Sequence, residues 1–439
     1  MKESVIILLV VLIGCTTKTS SPQEEVKVDS LNKNVSYPVK ISLQEAMKNV
    51  NNTITLSSFV DSIEYIPLKL PNKYAISRFQ MYDYDEDIGL FFIGDYNRVL
   101  VVNKKGEFLH TIGRIGGGPG ELACITDVSI DKRNKYVYLY SSTMRSMFRF
   151  DYEGNFLKKM FSALADNEKY FTAHTFYNND NFVSISEIYH YGLESIKDRL
   201  YGYGVLDTLG KMLDCTPPQY TQLDVEKERY IGLMFNGQMT RFIGGNLLVS
   251  SDLSDTIFTV VENKVKPRYL LDYGDEKPDL SEIWSSDEQL RQSAIYNSIF
   301  IMNPAYETAR YFITKFRKSG IEYIAIHDKY LNKSYSVLYD YSMLGEGYNS
   351  ALSIKNLGFY NDLDGGVDAY PMIMSSEGNY WVSYIESYQM KELLSKEHFE
   401  KRKNVHNLEQ QEELKKMLPE MKEDGDQVLI LMKLKKSVL

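Results

Sequence analysis

From Tyr37 onward the chain repeats one pattern: short apolar strands joined by turns, returning at a period of about 50 residues. The clearest copy runs Gly89-Leu-Phe-Phe-Ile-Gly-Asp95, then Tyr96 to Gly106, then Glu107 to Gly113, with Lys104-Lys105-Gly106 as a tight hairpin. The order returns at Lys135-Tyr-Val-Tyr-Leu-Tyr140, Ser146 to Gly154 and Asn155 to Met160, which places Gly106 and Gly154 48 residues apart. Looser copies pair Asn181–Ser186 with Tyr203–Leu213, Asn246–Asp252 with Thr256–Asn263, and Glu322–His327 with Ser334–Asp340. The last copy holds Tyr370–Ile373, Asn379–Ile385 and Val428–Leu434. A four-stranded unit of this kind cannot bury both faces alone, so copies must stack on one another. Six copies predict an all-β, six-bladed β-propeller over residues 37–439. Two separate sandwiches would need a Pro/Gly/Ser-rich break, and the series contains none. The 34 Tyr and 20 Phe fit such a core, since aromatic side chains favour pleated, half-buried surfaces. Ile63–Leu68 and Val428–Leu434 are comparable strands at opposite ends, and are expected to complete one shared blade.

Two stretches leave the strand pattern and are expected to be helical insertions, at about 279–299 and 386–423. In the first, Leu280, Ile283, Trp284, Leu290 and Ile295 follow helical spacing, with Ser281 and Ser286 as candidate caps. The second is densely charged, with Leu393, Leu394, Phe399, Leu408, Leu414 and Leu418 at helical intervals. Ahead of the repeats, Val5 to Ile13 is an apolar run far shorter than the roughly 20 residues a spanning helix needs. It fits a signal-peptide core over residues 1–14. Residues 15–36 are rich in Thr, Ser, Lys and Glu and read as a solvated tether. With 50 Lys plus Arg against 59 Asp plus Glu, the net charge of −9 disfavours a nucleic-acid partner.

Leu12-Ile13-Gly14-Cys15 resembles the bacterial lipoprotein box, which implies cleavage before Cys15 and lipid attachment to its thiol. Several acyl chains hold a protein at a membrane where one would not. Gly94-Asp95, Asn97-Arg98, the apolar Val99–Val102, the Gly106 hairpin and the run Gly113-Arg-Ile-Gly-Gly-Gly-Pro-Gly120-Glu121-Leu122 resemble an NHL repeat. The second copy has Tyr140-Ser141 where that pattern has Ala-Asp. With Val60–Leu68 and Asn361-Asp362-Leu363-Asp364-Gly365-Gly366, the chain resembles the six-bladed β-propeller lipoproteins of Bacteroidota, NHL- or TolB-like, over about residues 40–439. The resemblance implies an outer-membrane lipoprotein of the cell envelope, facing the periplasm or the cell surface. Related propellers include metal-dependent lyases and calcium lactonases whose site residues come from separate blades.

The run Gly113 to Gly120 lacks the Gly-Lys-Ser/Thr ending of a phosphate loop and leads into a strand, so it reads as a connection between blades. Arg114 and Glu121 on it are candidate ligand-binding residues at the rim. Asn361, Asp362 and Asp364 are candidate metal ligands in an oxygen-rich run that carries only part of a calcium loop, without the distant Glu that would complete it. Asp/Asn-Gly turn formation is the competing reading, and calcium the cofactor the first one implies. Asp83-Tyr-Asp85-Glu86-Asp87 is expected to be a solvated turn. Cys124 and Cys215 are expected to be two buried, unpaired thiols, although export permits a disulfide. His110, His174, His190, His327, His398 and His406 include no His-x-x-x-His, and no Gly-x-Ser-x-Gly accompanies them. These features point to a non-catalytic binding or interaction module for a glycan, a peptide or an outer-membrane protein. The alternative is a metal-dependent propeller enzyme, a lactonase, lyase or glycan hydrolase, with its site at the central channel.

Overall fold

The computed structural model describes residues 35–438, apart from 163–172, 179–180, 186–202, 216–238, 244–245, 251–254, 278–296, 302–304, 339–357, 422–426 and a few isolated positions. The described residues form six sheets. Sheet 1 is an antiparallel meander of Gln80–Asp85, Leu90–Asp95, Arg98–Asn103 and Phe108–Ile112. Sheet 2 repeats it with Asp127–Asp131, Tyr136–Ser141, Ser146–Asp151 and Phe156–Ser162. Sheet 3 holds Ala173–Asn178, Asn181–Ile185, Tyr203–Leu206 and Met212–Cys215. Sheet 4 holds Met239–Ile243, Asn246–Ser250, Thr256–Val261 and Lys264–Asp272, with Val39–Ser42 added as a parallel fifth strand outside Lys264–Asp272.

The hairpins show why these residues make these strands. Asn103 Oδ1 accepts from Lys105 and Glu107 N–H, Asp151 Oδ1 from Asn155 N–H, and Asp207 Oδ1 from Leu209 and Lys211 N–H. One side-chain-capped turn thus recurs in sheets 1, 2 and 3 at the same place in the unit. Along Leu90–Asp95, alternate side chains enter different cores. Phe91 and Ile93 pack with Leu429 and Leu431 of sheet 6, and Phe92 packs with Leu139 and Phe150 of sheet 2. Sheet 1 is thus buried on both faces by its neighbours, which is why Leu90–Asp95 and Arg98–Asn103 carry nearly unbroken apolar runs. The innermost strands of sheets 6, 1, 2 and 3 are successive neighbours, as in a propeller.

Six copies of a roughly four-stranded unit were expected; the regular four-stranded antiparallel arrangement occurs five times. In sheet 5, the innermost position is split between two pieces, Phe300–Ile301 and Tyr306–Glu307. They pair with different parts of Tyr311–Lys318, ahead of Ile321–Asp328 and Lys333–Leu338. Sheet 6 joins the chain ends. Ile373–Met374, Tyr380–Glu386 and Gln427–Leu434 come from the C-terminal part, and Val60–Pro67 completes the sheet antiparallel to Gln427–Leu434.

Four helices are described: α1 (Leu43–Lys48), α2 (Ser387–Leu393), α3 (Lys396–Lys401) and α4 (Leu408–Met417). The last three lie in the charged insertion after Tyr380–Glu386. Ser42, Ser395 and Asn407 cap α1, α3 and α4 by accepting the N–H of the residue three positions on. The helix expected at 279–299 lies outside the described residues except for Asn297–Ile299.

Candidate functional site

The outermost strand of sheet 6, Val60–Pro67, has a strand neighbour on one side only. Helix α4 runs past its other side. Asn407 Oδ1 caps that helix at Gln410 N (3.0 Å), Glu409 lies in its first turn, and Lys415 and Lys416 lie in its last, matching the helix dipole. Leu414 is buried towards the sheets, and Gln410 Nε2 donates to Ile63 O. Between helix and strand lies a groove of about 350 Å³, lined by residues that include Ile63, Tyr65, Pro67, Leu414 and Met417. Lys69, Lys104 and Lys105 stand at one end, and Glu413 belongs to the helix. The Lys end is fixed by the sheet 1 hairpin. Gly106 has φ +75°, and a Cβ there would clash with the Pro67 carbonyl, so the hairpin closes directly on the strand end. Lys69 N–H donates to Gly106 O (2.7 Å). Lys104 pairs with Glu64 (3.5 Å), and Lys69 lies 4.0 Å from Glu107.

Tyr65 links the groove to the Asn361–Asp368 turn. Its hydroxyl donates to Asp364 Oδ1 (3.3 Å), which also accepts from Asn361 Nδ2 (2.7 Å) and Gly366 N–H (2.9 Å). Burial raises the Asp364 carboxyl above the ordinary range, against the pull of these bonds. Asp362 points elsewhere. It accepts from Ser57 Oγ (2.6 Å), Thr55 Oγ1 (2.7 Å) and Ser57 N–H (2.9 Å). Burial pushes its carboxyl up, but those donors outweigh it and hold it below the usual range. Asn361, Asp362 and Asp364 thus serve the turn and tie it to Thr55 and Ser57 at a short helical turn and to Tyr65 in sheet 6. Among the described residues, no group of three or more His, Cys, Asp or Glu is placed to hold a metal ion. Arg402 anchors the far side, bonding Asp368 at 2.9 Å and lying over the Tyr360 ring at 4.4 Å. His398 Nε2 lies 2.9 Å from Gly365 O, and His406 Nε2 lies 3.3 Å from Asp362.

The other residues singled out in the sequence lie apart from the groove lining. Arg114 and Glu121 do meet, at 3.3 Å, but Glu121 also accepts Gly118 N–H (2.8 Å) and Arg114 is 83% exposed. Cys15 and His190 lie outside the described residues. Cys124 and Cys215 are not joined in a disulfide, and both are half-buried rather than buried. The Cys124 thiol has Ser141, Thr143 and Ser142 hydroxyls around it; burial opposes their effect, and its pKa falls to about 7. The Asp83–Asp87 turn is not simply solvated: Asp83 and Asp85 are buried. Asp85 Oδ2 takes Lys135 Nζ (2.9 Å) and Tyr152 OH (3.0 Å), while Lys132 stands 3.5 Å from Asp83.

Sequence reading missed a second buried charge cluster. Glu307 accepts a bidentate pair from Arg268 Nε and Nη2 (both 2.6 Å), Lys329 Nζ (2.9 Å) and Tyr37 OH (3.1 Å). Burial raises its carboxyl, yet Arg268 and Lys329 hold it below the usual range. The only signal was a Glu inside an apolar stretch, which says nothing of the cations that meet it.

The fold and this groove define a β-propeller with a helix-flanked sheet edge at its closure. The sequence matches the family described as "Domain of unknown function (DUF4934)" over residues 38–433, and the chain belongs to that family. In structure it is similar to a protein of Bacteroides fragilis NCTC 9343, described as a predicted exported protein. The TM-score is 0.63 at 18% identity, over 91% of this chain and 99% of that one. It is also similar to a DUF4221 family member from Bacteroides vulgatus ATCC 8482, with TM-score 0.46 and 10% identity, over 86% and 97% of the two chains. No curated protein matches the sequence.

Proposed function

We propose that this chain is an exported, lipid-anchored six-bladed propeller that serves as a non-catalytic binding module for a peptide or protein of the cell envelope. The groove beside Val60–Pro67 carries the reading. It combines a sheet edge, an apolar floor and a basic end, which is how binding surfaces recognise an extended polypeptide. The leader-like Val5–Ile13 and the lipoprotein box at Cys15 support export and anchoring in the outer membrane, and the similarity to a predicted exported protein is consistent with them. Taking each of the six sheets as one blade supports the six-blade count, and the NHL-like motif falls on sheet 1 and its link to sheet 2. No helix among the described residues is long and apolar enough to cross a membrane. Radiolabelled palmitate fed to expressing cells should label the full chain and not a Cys15→Ala variant. Screening the full chain against peptide and glycan arrays should then give saturable peptide binding. Turnover of lactone or polysaccharide substrates, with no peptide retained, would replace this reading with an enzymatic one.

A further inference from the structure

The polarity of the groove wall can be read group by group. Leu68 N–H donates to Gln427 O at 2.8 Å. In an antiparallel pair, alternate residues turn their peptide groups towards the partner strand. The even positions from Ser62 to Leu68 therefore bond Gln427–Leu434, and Ile63, Tyr65 and Pro67 turn theirs outward. The bond from Gln410 Nε2 to Ile63 O agrees with this, and shows a side-chain amide already occupying one outward acceptor. Pro67 has no N–H to offer, and Gly106 closes off its carbonyl. Between these two covered positions, the N–H and C=O of Tyr65 face the groove.

The molecule already extends its sheets by adding strands at such edges. Val39–Ser42 lies along Lys264–Asp272, and Val50 bridges in parallel to Ser336 on sheet 5. There Asn51 N–H donates to Ser336 O (2.7 Å) and Ser336 N–H donates to Asn49 O (3.1 Å). The charges select among possible strands. Lys104 is matched by Glu64, while Lys69, 4.0 Å from Glu107, and Lys105 share that one carboxylate. The end of the groove at Pro67 is therefore basic.

Resting on the binding-module reading above, we propose that the groove captures an extended acidic segment of a partner protein. The segment adds as a short strand at Tyr65 and sets a carboxylate against Lys105 and Lys69. Backbone bonds give the grip, and the basic end gives the preference.

The test uses the full chain and fluorescein-labelled octapeptides in fluorescence anisotropy. A Val-Glu alternating peptide should bind saturably, a Val-Lys alternating peptide should not, and a Val-Glu peptide with Pro at its centre should lose binding. The double variant Lys69→Glu/Lys105→Glu, at two exposed sites, should keep its melting temperature and lose at least about ten-fold in affinity. Equal binding of the acidic and basic peptides would overturn the proposal, as would wild-type affinity in the double variant. An array ligand whose affinity the double variant leaves unmoved would overturn the groove and keep the binding-module reading. Silence of both array and octapeptides would overturn both.

Discussion

At the scale of single residues, the informative groups are charges held inside the sheets. Lys315 lies in Tyr311–Lys318 at 6% exposure, with its ammonium 4.2 Å from the Tyr370 ring. Burial lowers its pKa from 10.5 to about 8, and Glu322 only partly opposes that. Between those values the unfolded chain holds a proton that the folded chain has released. Unfolding then takes up protons, so stability rises with pH through this window. Urea melts of the wild type should show that rise from about pH 8 to 9.5, below the range where tyrosines titrate. Lys315→Met should flatten it and add about 2 kcal/mol at pH 7; an unchanged slope would mean the ammonium is solvated. Glu307 has the opposite sign. Its folded pKa is depressed, so its contribution is full above the ordinary carboxylate range and is lost as pH falls through the lowered value. Glu307→Gln leaves Arg268 and Lys329 buried beside a neutral group and should cost about 3 kcal/mol at pH 7. That penalty should shrink as the pH falls below the ordinary carboxylate range towards the lowered value at which wild-type Glu307 also becomes neutral; a pH-independent penalty would assign the loss to shape alone. Neither cluster was legible in the sequence. Alternation along a strand reveals which residues share a face, but not what a neighbouring sheet brings to meet them, and the same blindness made Asp83 and Asp85 look solvated.

At the scale of elements, local chemistry was readable and its tertiary use was not. Asn103-Lys-Lys-Gly106 announces a hairpin by itself, and Asn103 and Gly106 make it. That the hairpin also seals the end of Val60–Pro67 depends on sheets 1 and 6 meeting, which no window of sequence contains. Gly106→Ala therefore faces two penalties, a positive φ and a collision with the Pro67 carbonyl. It should destabilise the protein by about 2 kcal/mol or more in thermal or urea melts. Gly154, also at positive φ, approaches Thr111 O in the corresponding place one sheet on. If Gly106→Ala and Gly154→Ala both melt as wild type, these glycines are only turn residues with slack around them. The short Val39–Ser42 shows the same limit from the other side. Its sequence reads as an ordinary strand, and its placement outside Lys264–Asp272 is decided by an edge more than 220 residues away. Sheet 5 departs from the repeat because its innermost position is divided between Phe300–Ile301 and Tyr306–Glu307, whereas counting periods in the sequence made it one more copy of the unit.

At the scale of the whole molecule, everything turns on how the ring is closed. Gln427–Leu434 is an inner strand of sheet 6, lying between Tyr380–Glu386 and Val60–Pro67. Its apolar run was legible as a strand, and its pairing with Val60–Pro67 followed from the need to leave no open first or last blade. Val428, Ile430, Met432 and Leu434 enter the core shared by sheets 4, 5 and 6, while Leu429 and Leu431 enter the core between sheets 6 and 1. These six side chains are all under 3% exposed. At roughly 2 kcal/mol for burying each one, their loss approaches about 12 kcal/mol, as large as the whole net stability of an ordinary domain. Deleting residues 427–439 should therefore abolish the cooperative thermal transition rather than lower it by a few degrees. The near-UV circular dichroism of buried Trp381, which packs on Phe59 and Phe359, should vanish with it. By contrast, Ile41→Pro in the added strand of sheet 4 removes one outer pairing and should leave a cooperative, lower melt. If the truncated chain melted cooperatively near the wild-type temperature, the ring would be held by the other sheets alone. The groove would then border a dispensable flap instead of the closure of the fold.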